Sequence, residues 1–333
     1  MNLQAPDEWT SKQFCRKSIG EYSMAAGKSS RNKTIDISPD EGQEYLERCI
    51  TVRTPLLSMD DVLDKTVLGD CLDVMPLLPR ESVDLIIADP PYNLRKSYNG
   101  TVFRKKAQEE YGQYTRQWLS QAVGLLKKGG TMYVCCDWES SLIIGNILQE
   151  VLTVRNRITW QREKGRGAAK NWKNSMEDIW YATKGDDYTF DLDAVKVRRR
   201  VIAPYRQNGT PKDWTELKKG SYRDTCPSNF WDDITVPFWS MAENTAHPTQ
   251  KPEKLLAKLI LASSRPGELV FDPFLGSGST SVTAKKLSRH YLGIEREKQY
   301  CIWSELRLER AEKDSSIQGY ADHLFYDRNY FNR

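Results

Sequence analysis

The chain has 333 residues, of which 39% are hydrophobic, and a formal net charge of +4 at pH 7. This length suffices for two or three folding units, and so mild a charge means that any affinity for nucleic acid must come from local clusters of basic residues. The seven cysteines form no C-x-x-C pair and the three histidines lie far apart, which excludes typical zinc spacing. With no membrane-spanning apolar run and no signal-type segment, we expect a cytoplasmic protein with reduced thiols and no metal.

Residues 1–60 have the composition of an N-terminal extension. The polar and basic stretch at 28–33 favours a partly disordered, solvated arm over a DNA-contacting one, and the sequence leaves both interpretations open. The pattern at 41–53 predicts a short helix.

Predicted strands and helices alternate over residues 61–162. Residues 66–71 and 83–88 have the apolar character of strands, with a short helical stretch between them. Helical spacing at 114–126 and 142–151 alternates with apolar runs at 131–136 and 157–160. This alternation predicts a doubly wound, mostly parallel α/β sheet.

A carboxylate, two prolines and an aromatic residue follow the strand predicted at 83–88, as Asp89-Pro90-Pro91-Tyr92. Open α/β sheets bind ligands beyond the carboxyl ends of their strands. Because the prolines stiffen the backbone and remove N–H donors, the Asp89 carboxylate and a free carbonyl can accept hydrogen bonds beside the Tyr92 ring. These groups suit a planar heterocycle with an exocyclic amine, although the four residues alone are equally typical of a capped turn.

The α/β alternation stops between residues 163 and 245, apart from a strand predicted at 177–182. Basic residues with aromatic residues between them suit phosphate contacts and base stacking, whereas a charge run alone is more often a solvated surface. Acidic residues such as Asp186 and Asp187 also dilute the charge. We predict an inserted recognition region that binds nucleic acid through its basic side chains. The candidates are Lys164, Arg166, Lys170, Lys173, Arg198, Arg199, Arg200 and Arg206.

Regular alternation returns over residues 246–312. Residues 269–280 pass from an apolar strand through a loop with Gly276 and Gly278 into a helix, a geometry that brings backbone close to a ligand. A phosphate-binding loop would need a lysine where Ser279 stands, and the third glycine of a dinucleotide fingerprint is missing as well. Glu295 ends the next strand, where a carboxylate can bind both hydroxyls of a ribose. A glycine loop of this kind, followed by an acid at Glu295, indicates a nucleoside cofactor without a pyrophosphate.

Together these motifs resemble the amino-methylating DNA methyltransferases of the circularly permuted β group. In that group the catalytic motif precedes the cofactor-binding motif, as Asp89-Pro90-Pro91-Tyr92 precedes the loop at 271–278 here. The segment His247-Pro248-Thr249-Gln250-Lys251-Pro252 matches the stretch that leads into the cofactor loop in the family. The resemblance covers roughly residues 64–312 and is weaker in the recognition region.

The resemblance implies S-adenosylmethionine as the cofactor. Glu295 would bind the ribose hydroxyls, and Asp70, beside Cys71, would accept a hydrogen bond from the adenine amino group. In the segment that begins at His247, the residues expected near the cofactor carboxylate are Thr249, Gln250 and Lys251. The loop expected to hold the methionine end consists of Asp272, Pro273, Phe274, Gly276, Ser277 and Gly278.

The resemblance also implies the reaction. Asp89 and the Pro90 carbonyl would accept the two N–H groups of an exocyclic amine, and Tyr92 would stack on a base flipped out of double-stranded DNA. An aspartate at the first motif position, followed by Asn93-Leu94, is similar to adenine-N6 members rather than cytosine-N4 members. A cytosine-N4 enzyme, an RNA methyltransferase and a non-catalytic DNA-binding protein are the alternatives.

The expected fold is therefore a seven-stranded, mostly parallel Rossmann-like sheet with an inserted DNA-recognition region. A cognate restriction endonuclease and a second copy of the chain are further expected partners. The tail at 313–333 is expected to pack on the core.

Overall fold

The computed structural model describes residues 29–93, 96–98, 101–103, 107–162, 170–201, 205–217 and 220–327. No helix within these ranges is long and apolar enough to cross a membrane. Their α-helices are α1 (Gln43–Leu46), α2 (Cys71–Val74), α3 (Gln108–Leu125), α4 (Trp138–Val151), α5 (Glu253–Ser263), α6 (Ser279–Lys286) and α7 (Lys298–Lys313).

The strands of the same ranges form four sheets. They are β1 (Lys65–Leu68), β2 (Val83–Ala88), β3 (Lys96–Tyr98), β4 (Thr101–Phe103), β5 (Leu126–Cys136), β6 (Thr153–Gln161), β7 (Met176–Thr183), β8 (Val197–Arg200), β9 (Arg206–Gln207), β10 (Thr210–Pro211), β11 (Thr215–Leu217), β12 (Gly220–Thr225), β13 (Phe230–Trp231), β14 (Leu269–Asp272), β15 (His290–Glu295), β16 (Tyr320–Ala321) and β17 (Leu324–Tyr326).

The main sheet has the strand order β1-β15-β14-β2-β5-β7-β6-β13. Neighbouring strands run parallel, except that β7 is antiparallel to both β5 and β6. The predicted doubly wound, mostly parallel sheet is confirmed. It has eight strands rather than the predicted seven, because the two-residue strand β13 pairs with the outer edge of β6.

Helices cover both faces of this sheet, which explains why β2 is apolar along nearly its whole length. Ile86 packs in one core with Trp118 of α3. Leu85 and Ile87 point to the opposite face and pack in a second core with Leu256 of α5. Full burial of each such aliphatic side chain stabilises the fold by about 1.5 to 3 kcal/mol.

The carboxyl ends of β1, β15, β14 and β2 meet at one edge of the sheet, because these four strands are parallel and consecutive in the sheet order. An acidic residue stands at or just after each of these ends: Asp70, Glu295, Asp272 and Asp89. Topology therefore gathers carboxylates that are far apart in sequence.

The predicted recognition region, 163–245, divides among three sheets, one of which is the two-stranded sheet of β9 and β10. Its strand β7 lies in the middle of the main sheet, so this range includes main-sheet residues. The strands β8, β11 and β12 belong to a second sheet with the order β11-β12-β8-β17-β16. Residues 163–169, 202–204 and 218–219 of the region lie outside the described residues.

Both ends of the described chain pack on the core. In the tail, β17 pairs with β8 and Phe325 is fully buried, which agrees with the expected packing. In the extension, Ile35 is buried beside Ile302 of α7, and Ile50 pairs with Val67. The described part of the extension is therefore anchored on the core at these points, while most of its side chains stay exposed or half-buried. The helix predicted at 41–53 is limited to α1. Residues 1–28 lie outside the described residues.

Candidate active site

A cavity opens at the sheet edge where β1, β15, β14 and β2 end. Its wall contains the four residues of the predicted catalytic motif and nearly all the predicted cofactor residues. These are Asp89, Pro90, Pro91, Tyr92, Asp70, Cys71, His247, Thr249, Gln250, Lys251, Asp272, Pro273, Phe274, Gly276, Ser277 and Glu295. Gly278 is not in the wall; it precedes α6 with φ of 85°, and a Cβ atom there would lie 2.3 Å from the Ser304 Oγ.

Both carboxylate oxygens of Asp89 already accept a hydrogen bond. The Tyr92 hydroxyl donates to Oδ1 over 2.9 Å, and the Lys251 ammonium donates to Oδ2 over 2.5 Å. The two prolines between Asp89 and Tyr92 restrict the backbone of this short loop, in which the Tyr92 hydroxyl returns to Asp89. The motif thus forms a closed polar unit with Lys251.

Glu177, from the start of β7, completes a buried charge network around Asp89. The Lys251 Nζ lies 3.3 Å from the Glu177 Oε2, and the Tyr92 hydroxyl also lies 3.3 Å from that oxygen. Arg162 forms an ion pair with the other Glu177 oxygen. Two carboxylates and two cations balance in charge, as burial of ions requires.

The network shifts the pKa values of its members. Burial by itself would lower the pKa of Lys251, but the charges of Asp89 and Glu177 outweigh it and raise that pKa, so Lys251 stays protonated. Burial, with the same two carboxylates, raises the pKa of Tyr92 well above its ordinary value. The Tyr92 hydroxyl therefore acts as a neutral donor.

Asp272 lies at the end of β14 and is buried. Its Oδ1 accepts the Phe274 N–H over 2.9 Å, and its Oδ2 accepts the Thr280 hydroxyl over 2.5 Å. Burial raises the pKa of Asp272 to about 7, because these two donors compensate only in part for the lost water. Through these two hydrogen bonds Asp272 fixes the conformation of the glycine loop.

Glu295 joins the same loop to the next strand. Its Oε2 accepts the Gly276 N–H over 2.8 Å, and its Oε1 accepts the Glu297 N–H over 2.8 Å. Burial raises the pKa of Glu295, and the two backbone donors oppose that rise. Gly276 has a positive φ of 55°, and a Cβ atom there would lie 3.3 Å from the His247 ring, so glycine suits this close approach.

The remaining predicted cofactor residues surround this loop. The Asp70 side chain caps α2 by accepting the Leu72 N–H over 2.9 Å. Burial raises the pKa of the Cys71 thiol to about 12, so the thiol is neutral. The Thr249 N–H donates to the His247 Nδ1 over 3.3 Å, and the His247 ring packs edge-on against Tyr300 with 4.4 Å between centroids.

Two residues of the His247-to-Pro252 segment form hydrogen bonds within the protein. The Gln250 side chain accepts the Thr245 N–H and donates to the Glu243 carbonyl, which secures the segment itself. The Lys251 ammonium contacts the carboxylates of Asp89 and Glu177. Its placement beside the cofactor carboxylate, which the family resemblance implies, stays a prediction.

Sequence reasoning missed Glu177, Arg162 and Tyr300. An acid at the start of a predicted strand is ordinarily solvated, so Glu177 carried no signal on its own. The available signal was alternation: Glu177, Ile179 and Tyr181 share one strand face, and the latter two are buried on it.

The predicted nucleic-acid contacts fall into three groups. Lys164 and Arg166 lie outside the described residues. Lys170, Lys173 and Arg200 are exposed, and none of them forms a salt bridge with another described residue. The remaining three pair with acids of the same region: Arg198 with Asp224, Arg199 with Asp232, and Arg206 with Glu216.

A Rossmann-like sheet with acidic residues around one cavity at its carboxyl edge is typical of α/β enzymes that bind a nucleoside-type ligand. A family model described as DNA methylase matches residues 83–305, more than half of the chain. The protein belongs to this DNA methylase family. S-adenosylmethionine is the methyl donor of the family, in agreement with the cofactor expected from the sequence.

Two curated relatives support this membership. The DNA adenine methyltransferase YhdJ of Escherichia coli (strain K12) is 35% identical over 260 residues, which are 76% of this chain and 85% of that protein. The type II methyltransferase M.HpaI of Haemophilus parainfluenzae is 32% identical over 259 residues, 77% of this chain and 76% of that protein.

Solved structures share the fold. The PvuII DNA methyltransferase (cytosine-N4-specific) has a TM-score of 0.52 and 18% identity, covering 75% of this chain and 90% of its own. TTHA0409 of Thermus thermophilus, complexed with S-adenosyl-L-methionine, has a TM-score of 0.50 and 18% identity, covering 78% of this chain and 96% of its own. At this identity the likeness extends to the fold alone.

Proposed function

We propose that this DNA methylase transfers a methyl group from S-adenosylmethionine to the N6 amine of an adenine flipped out of double-stranded DNA. The observation that carries the proposal is that one cavity wall holds both the Asp89-to-Tyr92 motif and the Asp272-to-Glu295 loop region. A methyl donor and an amine acceptor bound in one cavity are within reach of each other.

The cavity wall fits the cofactor chemically. Glu295 is assigned to the ribose hydroxyls, because a buried carboxylate with two backbone donors keeps lone pairs that can accept further hydrogen bonds. Asp70 is assigned to the adenine amine, and the carboxylate-rich wall suits a sulfonium cation. The loop of Asp272, Pro273, Phe274, Gly276, Ser277 and Gly278 is assigned to the methionine end.

Asp89 and the Pro90 carbonyl are assigned to the target amine. When bound, S-adenosylmethionine supplies an electrophilic methyl group. The amine nitrogen forms a bond to the methyl carbon, the carbon–sulfur bond breaks, and the nitrogen gives up a proton that Asp89 can accept. Hydrogen bonds from the amine to Asp89 and Pro90 raise the electron density on nitrogen, and fixed geometry supplies much of the acceleration.

The choice of adenine rests on a relative and on one residue. YhdJ, named as a DNA adenine methyltransferase, is 35% identical to this chain. Asp89 also resembles the first motif position of adenine-N6 enzymes. Cytosine-N4 methylation is the second candidate, because it needs the same acceptor geometry around an exocyclic amine.

Residues 163–245 are assigned to DNA recognition within a circularly permuted β-group arrangement, between a catalytic half at 61–162 and a cofactor half at 246–312. Lys164, Arg166, Lys170, Lys173, Arg198, Arg199, Arg200 and Arg206 remain the proposed DNA contacts. A cytoplasmic location, a homodimer and a cognate restriction endonuclease are part of the same proposal, the last supported by the type II name of M.HpaI.

The test is methyl transfer from labelled S-adenosylmethionine to unmethylated bacterial genomic DNA, and to RNA in parallel, followed by digestion to nucleosides. We expect label in N6-methyladenine from DNA. Label in N4-methylcytosine would change the base and keep the mechanism, and label in RNA alone would change the substrate. A protein that binds the cofactor but labels neither nucleic acid would contradict the catalytic proposal.

A further inference from the structure

Lys251 lies at the centre of the buried charge network. Only 7% of its side chain is exposed, and its ammonium faces two carboxylates at once. The distance is 2.5 Å to the Asp89 Oδ2 and 3.3 Å to the Glu177 Oε2. The ammonium also lies 5.4 Å from the centroid of the Tyr92 ring.

This arrangement affects a contact that the proposed reaction requires. Asp89 has to accept an N–H from the target amine, and each of its oxygens already accepts one hydrogen bond. Both oxygens keep lone pairs, but the charge-assisted contact of the Lys251 ammonium at 2.5 Å draws electron density from Oδ2 and weakens it as an acceptor for the amine. The base is also assigned to stack on the Tyr92 ring, beside which the ammonium lies. Lys251 thus uses the same two groups as the proposed substrate.

We propose that Lys251 is a positioning residue that competes with the target amine for the Asp89 Oδ2, and that Glu177 receives the ammonium when the base enters. This inference rests on the proposed function. Glu177 is suited to the role because it is a second carboxylate already near the Nζ, so a small rotation of a flexible side chain completes the shift. The ammonium then never lacks an anion, which avoids the cost of an unpaired buried charge.

Other groups around the ammonium are poor alternatives to Glu177. The Tyr92 hydroxyl and the Cys135 thiol are neutral, because burial raises both pKa values. Arg162 pairs with the far oxygen of Glu177 and holds that side chain in place. Glu177 is therefore the described residue that combines charge, distance and a fixed position.

The test is a double-mutant cycle measured by single-turnover methyl transfer to unmethylated bacterial genomic DNA. Glu177→Gln should slow transfer roughly tenfold or more, because Lys251 then stays on Asp89, and the cofactor Kd should change by less than about twofold. In the Lys251→Met background, the same Glu177→Gln change should cost less than about twofold, since no ammonium is left to relocate.

Asp178→Asn is the matched control. Asp178 is the next residue of β7, is equally buried, and bonds to the Ser141 and Thr159 hydroxyls rather than to Lys251. Its effect should be the same in both Lys251 backgrounds. A Glu177→Gln effect of equal factor in both backgrounds would overturn the proposal and leave Glu177 a structural role.

A second measurement holds even if Glu177→Gln fails to fold. In Lys251→Met no ammonium competes with the target amine for the Asp89 Oδ2, so the KM for DNA should fall by about threefold or more at constant pH. An unchanged or higher KM would contradict the inference, whereas a wild-type protein that methylates no DNA would instead refute the proposed function.

Discussion

The edge of the main sheet and the second sheet both carry many charges, but they arrange them in opposite ways. At the sheet edge, Lys251 and Asp89 are 162 residues apart in sequence and meet in a largely buried network. In the second sheet, Arg198 and Asp224 are 26 residues apart and face each other directly across β8 and β12 on the surface. Buried charges are organised by the fold, whereas surface charges are organised by local strand pairing.

This difference shows why a count of basic residues misjudges a binding surface. Arg198, Arg199 and Arg206 look like free cations in the sequence, but each has an acidic partner in the structure. Exposed pairs of this kind contribute about 0.2 to 1 kcal/mol. Such cations reach phosphate only at the cost of these pairs, so the exposed Lys170, Lys173 and Arg200 are the better candidates.

The largest effect should come from the centre of the buried network. Asp89→Ala should lower the methyl-transfer rate by about a thousandfold or more, since it removes the acceptor of the target amine. Binding of S-adenosylmethionine, followed by calorimetry, should change little. Near-normal transfer by a folded Asp89→Ala protein would refute the assigned role of the motif.

A buried network also holds the segment after β13 onto α5, and breaking it should affect stability rather than chemistry. Asp233 bonds to the ammonium groups of Lys254 and Lys258, and these charges overcome burial and lower the pKa of Asp233 to about 2. Asp233→Asn removes the anion that these two buried cations share, and it should lower the free energy of unfolding by about 3 to 5 kcal/mol.

The contribution of the Asp233 carboxylate to the free energy of unfolding depends on pH, and the lowered pKa fixes the direction of that dependence. A carboxyl group with a depressed pKa stabilises the fold above its ordinary pKa near 3.8 and loses that contribution as the pH falls toward 2. Denaturant unfolding between pH 2 and pH 5 should therefore show a shallower pH dependence for Asp233→Asn than for wild type. Identical slopes would show that this pairing does not control acid stability.

A smaller and opposite effect is expected at Asp272. Its pKa of about 7 means that the fold binds a proton there which the unfolded chain releases near pH 4, so stability falls as the pH rises from about 4 to about 7. Asp272→Asn should raise the free energy of unfolding at pH 8 by about 1 to 2 kcal/mol, with little difference at pH 4. The same variant should weaken cofactor binding, and a variant that binds the cofactor normally would remove Asp272 from the proposed site.

The smallest effects should separate the exposed cations from the paired ones. Removing Lys170 and Lys173 together, as glutamines, should reduce DNA affinity several-fold and lower the salt slope by about 1 to 2, because each phosphate contact contributes about 0.9. Arg198→Gln should change DNA affinity by less than about threefold, since Asp224 already pairs with that side chain. The reverse order in a salt-dependent binding titration would show that DNA displaces the acidic partners.

Patterns that depend on neighbours in sequence are readable from the amino-acid chain by itself. The apolar run of β2, the stiff Asp89-Pro90-Pro91-Tyr92 turn and the glycines before α6 are local features, and each predicts its element correctly. The order of these motifs, with the acid at Glu295, is sufficient to indicate the family and its cofactor. By contrast, the helix predicted at 41–53 is limited to α1, because the backbone at Ile50 instead bonds to the neighbouring strand β1.

Tertiary structure alone decided how distant charges share the site. Lys251 pairs with Asp89 because the segment before α5 and the loop after β2 meet at one sheet edge, and Glu177 joins them because β7 inserts between β5 and β6. No sequence period links residues 89, 177 and 251. Burial then favours the pairing, because an ion removed from water without an opposite charge beside it strongly destabilises the fold.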